Sequence, residues 1–587
     1  MGAEMVYDVP DIRSFREMME NSAEKYGERT AFIFWGGDHQ AESVTYKEFY
    51  AQIKALAAYL NSRGFGGRHI GVIGRNCYDW ALTYLAVSCG VGVIVPIDKE
   101  LKAPDIAYIA DDAGLDLIVA HDDALDTVRQ LDGLVRKMPE IIPMSELKEA
   151  VEAGEKLIAG GDRSYEEHKV DYDDMSIILY TSGTTGSSKG VMLSQRNICY
   201  DIVAICKRFI LRPEDRVLSI LPLHHTFECT TGFLTPIYAG ASIAYNESLR
   251  RIMNDFAVFR PSYLVAVPLL LENVHSNILK KIKKSMVGAV SFRLGKSASK
   301  LSPTVGRLVF SQIQEAFGGR LTTIISGAAA LAPEIFNDLT AFGFKVHIGY
   351  GLTEASPVVM MQNDFKPRHC DDVGSALHGV QVRLISETTG LEVPQGEVGE
   401  IAVKGPNIML GYYNNPEATA KVMRDGWFYT GDLAILNERG DYQIVGRNKN
   451  VIVTKNGKKI FPEEMEALLE KNRFVKEAIV YGSDDDEGDS VVSAKIYPDF
   501  AEVNAYLSGG KLCPKEDIDA AAETGVFSDG YKSALTDIFK NVVKEVNRGV
   551  PQYRYIHKFK LRKTEFVKTT TKKIKRNAEE SETDYLI

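Results

Sequence analysis

The chain has 587 residues, 45% of them hydrophobic and 25% charged. That balance excludes a disordered chain, which needs low hydrophobicity and high net charge. Its 49 Gly and 21 Pro fall far short of a collagen-like or low-complexity share. With 69 Lys and Arg against 79 Asp and Glu the net charge is −10, a poor balance for a dedicated nucleic-acid binder. At about 150 residues per domain the length suggests about four units, or one very large domain with a small one.

The seven cysteines (Cys77, Cys89, Cys199, Cys206, Cys229, Cys370 and Cys513) include no CxxC pair. They read as reduced thiols of a cytoplasmic protein rather than a disulfide framework or zinc ribbon. Residues 1–16 are mixed and acidic, without the charged and apolar regions of a signal peptide. No apolar run approaches the length of a membrane span. Peripheral membrane contact stays open, because an amphipathic surface needs no such run. No oligomeric state follows from these patterns.

In chain order, 11–26 reads as a helix, with Ile12, Phe15, Met18, Met19 and Ala23 at roughly helical spacing. A strand at 31–35 and a helix at 46–63, ending at Gly64, come next. HIGVI at 69–73 is a second strand, followed by a helix through Trp80 to Cys89. Strands at 91–96 and 115–120 continue the alternation. Short Val/Ile-rich strands separated by helices predict buried parallel sheets. Residues 152–174, polar and glycine-containing, read as a loop or surface excursion. From 175 to about 400 the α/β pattern persists. Between 396 and 447 it changes to short strands with turns, with a hairpin turn at Arg439-Gly440. Residues 451–472 read as a hairpin feeding a helix, so a domain boundary is expected at 447–450.

The run IILYTSGTTGSSKG, Ile177 to Gly190, takes an apolar strand into a loop of glycines and small hydroxyl residues that ends on a lysine. Glycines allow backbone N–H groups to approach a phosphate closely. Thr181, Ser182, Thr184 and Thr185 add hydroxyls, Gly183 and Gly186 add freedom, and Lys189 adds a cation. This is not a Walker A loop, because Ser188 stands where that motif needs its second glycine.

TSGTTGSSKG resembles the phosphate loop of the adenylate-forming enzymes, among them acyl-CoA synthetases, firefly luciferases and nonribosomal peptide adenylation domains. Further segments of that superfamily follow in order: LPLHHTFE (221–228), SGAAAL (326–331), GYGLTEASP (349–357), GEIAVKGPNIMLGYY (399–413), YTGDL (429–433), GRNKN (446–450) and KTTTKKIKR (568–576). HxFE and the terminal element look most like long-chain fatty acyl-CoA synthetases. The implied fold is α/β: a large N-terminal domain of stacked α/β sheets with a small β-barrel-like subdomain, and a small mobile α+β C-terminal domain. The expected bounds are 1–446 for the nucleotide-binding domain, 447–450 for the hinge and 451–587 for the mobile domain.

The resemblance implies ATP, Mg²⁺ and coenzyme A as ligands, with a carboxylic acid as the second substrate. It gives adenine to Tyr350 and the Gly327-Ala328-Ala329 backbone, and counts Gly351 among the nucleotide-binding residues. It gives the α-phosphate to Thr353, Mg²⁺ to Glu354, and ribose to Asp432 and Arg447. The residue chemistry agrees: a tyrosine at a strand's carboxyl end can stack on a purine, and Mg²⁺ takes hard oxygen ligands. A carboxylate such as Asp432 accepts from both ribose hydroxyls. His225 is expected beside the acyl channel, and Lys449 at the hinge. Lys573 aligns with the catalytic lysine, although Lys572 replaces the glycine usual before it and stands as the alternative register. Glu228 falls near the position where amino-acid-activating relatives carry an aspartate for the substrate ammonium.

The expected activity is ATP-dependent activation of a medium- or long-chain fatty acid and its transfer to coenzyme A. The alternatives are an aryl- or amino-acid-activating ligase, a ligase loading an acyl carrier protein, and a non-enzymatic nucleotide-binding protein. The Lys280–Lys284 run reads as a solvated helix face, with contact to anionic lipid as the alternative.

Overall fold

The computed structural model describes residues 6–37, 40–181, 188–283, 292, 295–298, 303–453, 458–484, 490–510, 513–568, 574–576, 578, 581 and 584–586. The chain divides into two compact units. One comprises Met1–Val382, Ala402–Tyr429 and Arg439–Tyr442; the other comprises Arg383–Ile401, Thr430–Glu438 and Gln443–Ile587.

The first unit is built on two large sheets. A seven-stranded sheet runs in the order Gly411–Tyr412, Lys189–Ser194, Met175–Thr181, Val93–Ile97, His69–Ile73, Leu117–Ala120, Glu140–Pro143. Its last five strands are parallel, and Met175–Thr181 pairs antiparallel with Lys189–Ser194. The strands are near-continuous apolar runs buried on both faces, as a parallel sheet under helices requires. The nine-stranded sheet has a parallel centre: Lys345–Gly351, Thr323–Ser326, Tyr263–Ala266, Arg216–Ser219, Ser242–Tyr245 and Thr30–Trp35 lie side by side. Because these strands run the same way, the segments after Ser219, Ser326 and Gly351 leave the sheet at one edge, where open α/β sheets bind ligands.

Local sequence explains the helices. Tyr46–Ser62 opens on a capping box, with Thr45 accepting from Glu48 N and the Glu48 carboxylate accepting from Thr45 N. Those bonds hold the Glu48 carboxyl below its usual range. The segment expected as a loop at 152–174 is helical over about half its length, with Leu147–Ala159 one helix and Ser164–Glu167 a short second, and is irregular over 168–174. The reason is an amphipathic stripe of Leu147, Ala150, Val151 and Gly154. A Cβ at Gly154 would sit 1.8 Å from Ala55 O, so the glycine serves close helix packing rather than a turn.

Strands Gln381–Ile385, Val398–Lys404, Trp427–Leu436 and Met423–Arg424 form a further sheet, with Tyr442–Arg447 joining on Trp427–Leu436. It is open, so the barrel-like subdomain is not a closed barrel among the described strands. Gly440 turns the chain into Tyr442–Arg447 at φ 77, as the Arg439-Gly440 hairpin predicts.

In the second unit, Val475–Asp484 pairs antiparallel with Ser490–Pro498, which pairs parallel with Ile556–Leu561. Val480, Ala494, Ile496, Leu535 and Phe539 form the centre of its own apolar core. The expected hairpin is present, with Ile452–Val453 against Lys459–Ile460 leading into helix Pro462–Glu470. No helix of the described residues is long and apolar enough to cross a membrane. Helix Pro268–Lys283 covers most of the Lys280–Lys284 run, and residue 284 lies outside the described residues.

Candidate functional site

In the first unit the glycine-rich loop springs from a closed strand pair, Thr181 opposite Lys189. Ser182, Gly183, Thr184, Thr185 and Gly186 lie outside the described residues; both stems lie within them. The Lys189 ammonium sits 5.0 Å from the centre of the Tyr412 ring. The Tyr412 hydroxyl donates to Glu354 Oε1 at 2.8 Å, and Met409 N donates to Glu354 O at 2.9 Å. Burial, then the Glu354 charge, raises the Tyr412 hydroxyl well above its ordinary pKa, so it remains a donor.

The segment after Gly351 is clamped from below. Asn407, fully buried, donates to Ala355 O at 3.1 Å and Val358 O at 2.9 Å, and Ser356 Oγ donates to Asn407 O at 2.8 Å. A Cβ at Gly351 would fall 2.0 Å from Pro357 O, so only glycine allows this close return. Tyr350 is half-buried at the end of strand Lys345–Gly351. In the neighbouring strand end Gly327 is buried, Ala328 stands at φ 68, and Ala328 and Ala329 are exposed.

LPLHHTFE links these pieces. Thr226 Oγ1 lies 3.4 Å from Thr353 Oγ1. The Phe227 ring fills the space beside Gly327, where a Cβ would meet it at 2.8 Å. Thr230 Oγ1 donates to Ser356 O at 2.9 Å. His225 lies beside His224, ring centres 4.2 Å apart, and His224 Nε2 is 3.5 Å from Asp98 Oδ2. Desolvation first, then the neighbouring His224, pushes the His225 pKa down to about 3, so the ring is neutral at physiological pH.

In the second unit Asp432 and Arg447 lie against each other. Arg447 Nε donates to Asp432 Oδ1 at 2.8 Å. Asp432 is buried, with its backbone set by Gly431 at φ 74 and by Thr430 Oγ1, which accepts from Asp432 N at 3.1 Å. Glu400 Oε1 accepts from Gly431 N at 3.1 Å. Lys449 lies on the short turn Asn448–Asn450, whose flanking side chains are tied down. Asn448 donates to Glu387 at 3.0 Å and Asn450 to Glu463 at 2.7 Å.

Lys572 and Lys573 fall outside the described residues, but the chain on either side is anchored. Lys568 bridges to Ile574, and Lys575 N donates to Val567 O at 2.8 Å. Arg576 donates to Val480 O at 3.1 Å and forks onto both Glu466 oxygens at 2.5 Å. Lys568 pairs with Glu477.

The structure thus brings together Lys189, Glu354 and, through Thr226, Thr353 in one unit, and Asp432 with Arg447 in the other. Sequence reasoning assigned no part to Tyr412, Asn407 or Arg576, although all three stand inside or beside the ordered segments. Among the described residues no cluster of three or more His, Cys, Asp or Glu side chains could hold a metal ion by itself. Glu354 fits a magnesium carried in on nucleotide phosphates, because Tyr412 occupies one carboxylate oxygen and leaves the other for a cation.

The profile of the AMP-binding enzyme family matches residues 19–413. Long chain acyl-CoA synthetase 6, peroxisomal, of Arabidopsis thaliana is 29% identical over 577 residues, covering 90% of this chain and 80% of its own. Long-chain-fatty-acid--[acyl-carrier-protein] ligase AEE15, chloroplastic, of the same plant is 27% identical over 557 residues, covering 81% and 75%. Among solved structures, ATP-bound MatB from Rhodopseudomonas palustris superposes with TM-score 0.72 at 23% identity, covering 96% of this chain and 97% of that one.

Proposed function

The chain belongs to the AMP-binding enzyme family and is an AMP-forming acid–thiol ligase, and we propose that its acid is a medium- or long-chain fatty acid and its thiol that of coenzyme A. The fatty acid and coenzyme A rest on the likeness to long chain acyl-CoA synthetase 6; the observation that carries nucleotide activation is the Lys189–Tyr412–Glu354 contact, which ties the stem of the glycine-rich loop to the GLTE turn. A phosphate-binding loop and a cation-ready carboxylate share one tyrosine, the arrangement needed to grip a nucleotide's phosphates.

In the first half-reaction a carboxylate oxygen attacks the α-phosphorus of ATP and pyrophosphate leaves. Lys189 and the loop hydroxyls take the phosphates, Thr353 the α-phosphate oxygens, Tyr350 and Gly327 to Ala329 the adenine, and Asp432 with Arg447 the ribose. Neutral His225 borders the carboxylate without adding charge. Lys573 neutralises the charge that builds on the phosphate and carboxylate oxygens. Magnesium, held on Glu354 and the phosphates, would supply further charge neutralisation. In the second half-reaction the thiol sulfur of coenzyme A attacks the acyl carbonyl, the thiol proton is lost, and AMP departs. The adenylation lysine is not needed for thiol attack, so we place a rotation about Lys449 between the two steps.

A second acceptor has specific support: AEE15, 27% identical, carries an acyl-carrier-protein ligase name. The seven cysteines are all free, in keeping with a reducing, cytoplasmic setting. The test is pyrophosphate release across a panel of fatty, aryl and amino acids, followed by offering the acyl-adenylate to coenzyme A or to a phosphopantetheinylated carrier protein. Preference for long fatty acids and for free coenzyme A supports the reading. An amino-acid or aryl-acid preference, or transfer to the carrier alone, overturns it.

A further inference from the structure

Glu228 opens a π-helical stretch, Glu228–Leu234, and is fully buried. π-Helical segments are rare and frequently lie at functional sites. Ser219 Oγ donates to Glu228 Oε1 at 2.6 Å, and Oε2 is buried with no hydrogen-bond partner. Gly232 leaves room for the carboxyl, since a Cβ there would stand 2.6 Å from it. The Ser219 hydroxyl in turn accepts from Asn76 Nδ2 at 3.0 Å. Asn76 then grips the segment that carries the two histidines: Nδ2 donates to Leu221 O at 2.7 Å and Oδ1 accepts from Leu223 N at 3.0 Å. A single relay, Glu228–Ser219–Asn76, therefore closes both ends of LPLHHTFE onto the end of strand Arg216–Ser219. The opposite side of the same segment touches Thr353 through Thr226 and Gly327 through Phe227.

We propose that Glu228 is a positioning residue for acid activation: through Ser219 and Asn76 it fixes the Leu221–Phe227 segment, and with it His225 and the Thr226–Thr353 contact. The proposal rests on the acid-activating reading above. It differs from an ammonium-binding role, because this carboxyl faces a serine hydroxyl in a closed interior. Desolvation pushes its pKa up to about 8, so at neutral pH it is an uncharged carboxylic acid. The titratable groups facing it are Cys229 and Tyr245. Burial raises Cys229 to about 12 and Tyr245 well above its ordinary value, so neither changes charge near pH 8. Ionisation of Glu228 places an uncompensated charge under the relay.

Glutamine keeps the size and the acceptor oxygen but cannot ionise, which separates positioning from charge. The experiment measures pyrophosphate release with a long-chain fatty acid from about pH 6 to pH 10, for the wild type, Glu228→Gln, Glu228→Ala and Ser219→Ala. Amide hydrogen exchange over residues 221–228 is followed in the same proteins. Glu228→Gln is expected within about twofold of the wild type at neutral pH and without the wild type's alkaline decline. Glu228→Ala and the milder Ser219→Ala are expected to lose roughly tenfold in kcat/KM for the acid, the size of one buried hydrogen bond. Their 221–228 amides should exchange faster, whereas those of Glu228→Gln should not. A Glu228→Gln enzyme as impaired as Glu228→Ala, or a Ser219→Ala enzyme unchanged in rate and exchange, overturns the proposal. Wild-type protein that releases no pyrophosphate with any acid strikes the activity reading instead. The exchange comparison then still decides whether the relay holds the segment.

Discussion

Tyr412 and Glu354 are joined by a 2.8 Å hydrogen bond across 58 positions of sequence. The bond leaves the carboxylate fixed and half-satisfied, and the same ring receives the Lys189 ammonium on its face. One aromatic side chain thereby sets the spacing between the cation of the glycine-rich loop and the acid of the GLTE turn.

Tyr412→Phe tests that spacing. It keeps the ring for Lys189 and deletes the donor to Glu354. A hydrogen bond to a charged group contributes about 1.5–3 kcal/mol, so adenylation should fall by roughly tenfold or more. Titrating magnesium in a pyrophosphate-release assay checks this: the variant should need more magnesium, and an unchanged magnesium dependence would remove Tyr412 from the site.

Asp432→Asn weakens the pair with Arg447 and, with it, the ribose contact proposed above. Interactions made equally in ground and transition states appear in KM rather than kcat. The KM for ATP should therefore rise by about tenfold with a smaller change in kcat, and steady-state kinetics at saturating acid reads both. A kcat loss with KM unchanged would assign Asp432 to the chemical step instead.

His225 links pH to stability. Its folded-state pKa of about 3 lies below the ordinary 6.5, so the folded protein favours the neutral ring. That contribution is present above about pH 6.5 and is lost as pH falls toward 3, at up to about 1.4 kcal/mol per pH unit. Thermal unfolding of His225→Asn against the wild type across this range should show a shallower acid decline in the variant. Parallel curves would mean that the ring is not desolvated.

Much of this arrangement was legible in the sequence because its signals are local. A strand running into glycines and hydroxyls, or a turn ending in Thr-Glu, is contained in a dozen residues, and the βα alternation marks the parallel centres of both sheets, though not their antiparallel edges. Asp432 and Arg447 likewise sit on adjoining strands. Two kinds of information were hidden. The helix Leu147–Ala159 was masked by its polar exposed face and by Gly154, a packing glycine that reads like a turn residue. The contacts of Tyr412 with Glu354 and of Asn76 with Leu221 and Leu223 are tertiary, 58, 145 and 147 positions apart, and no periodicity encodes them.

Lys573→Ala separates the two half-reactions. Adenylation should drop on the order of 10²-fold, the scale for losing one preorganised donor. Thioester formation from supplied acyl-adenylate should largely persist. Equal loss in both would remove Lys573 from the first step and return attention to Lys572.

The most direct measurement is AMP and pyrophosphate formation by the purified chain with ATP, magnesium and a long-chain fatty acid. Acid-dependent release of one pyrophosphate per acyl-adenylate formed is expected, with AMP and a thioester appearing once coenzyme A is added. ATP that stays intact across a broad set of carboxylic acids would contradict it.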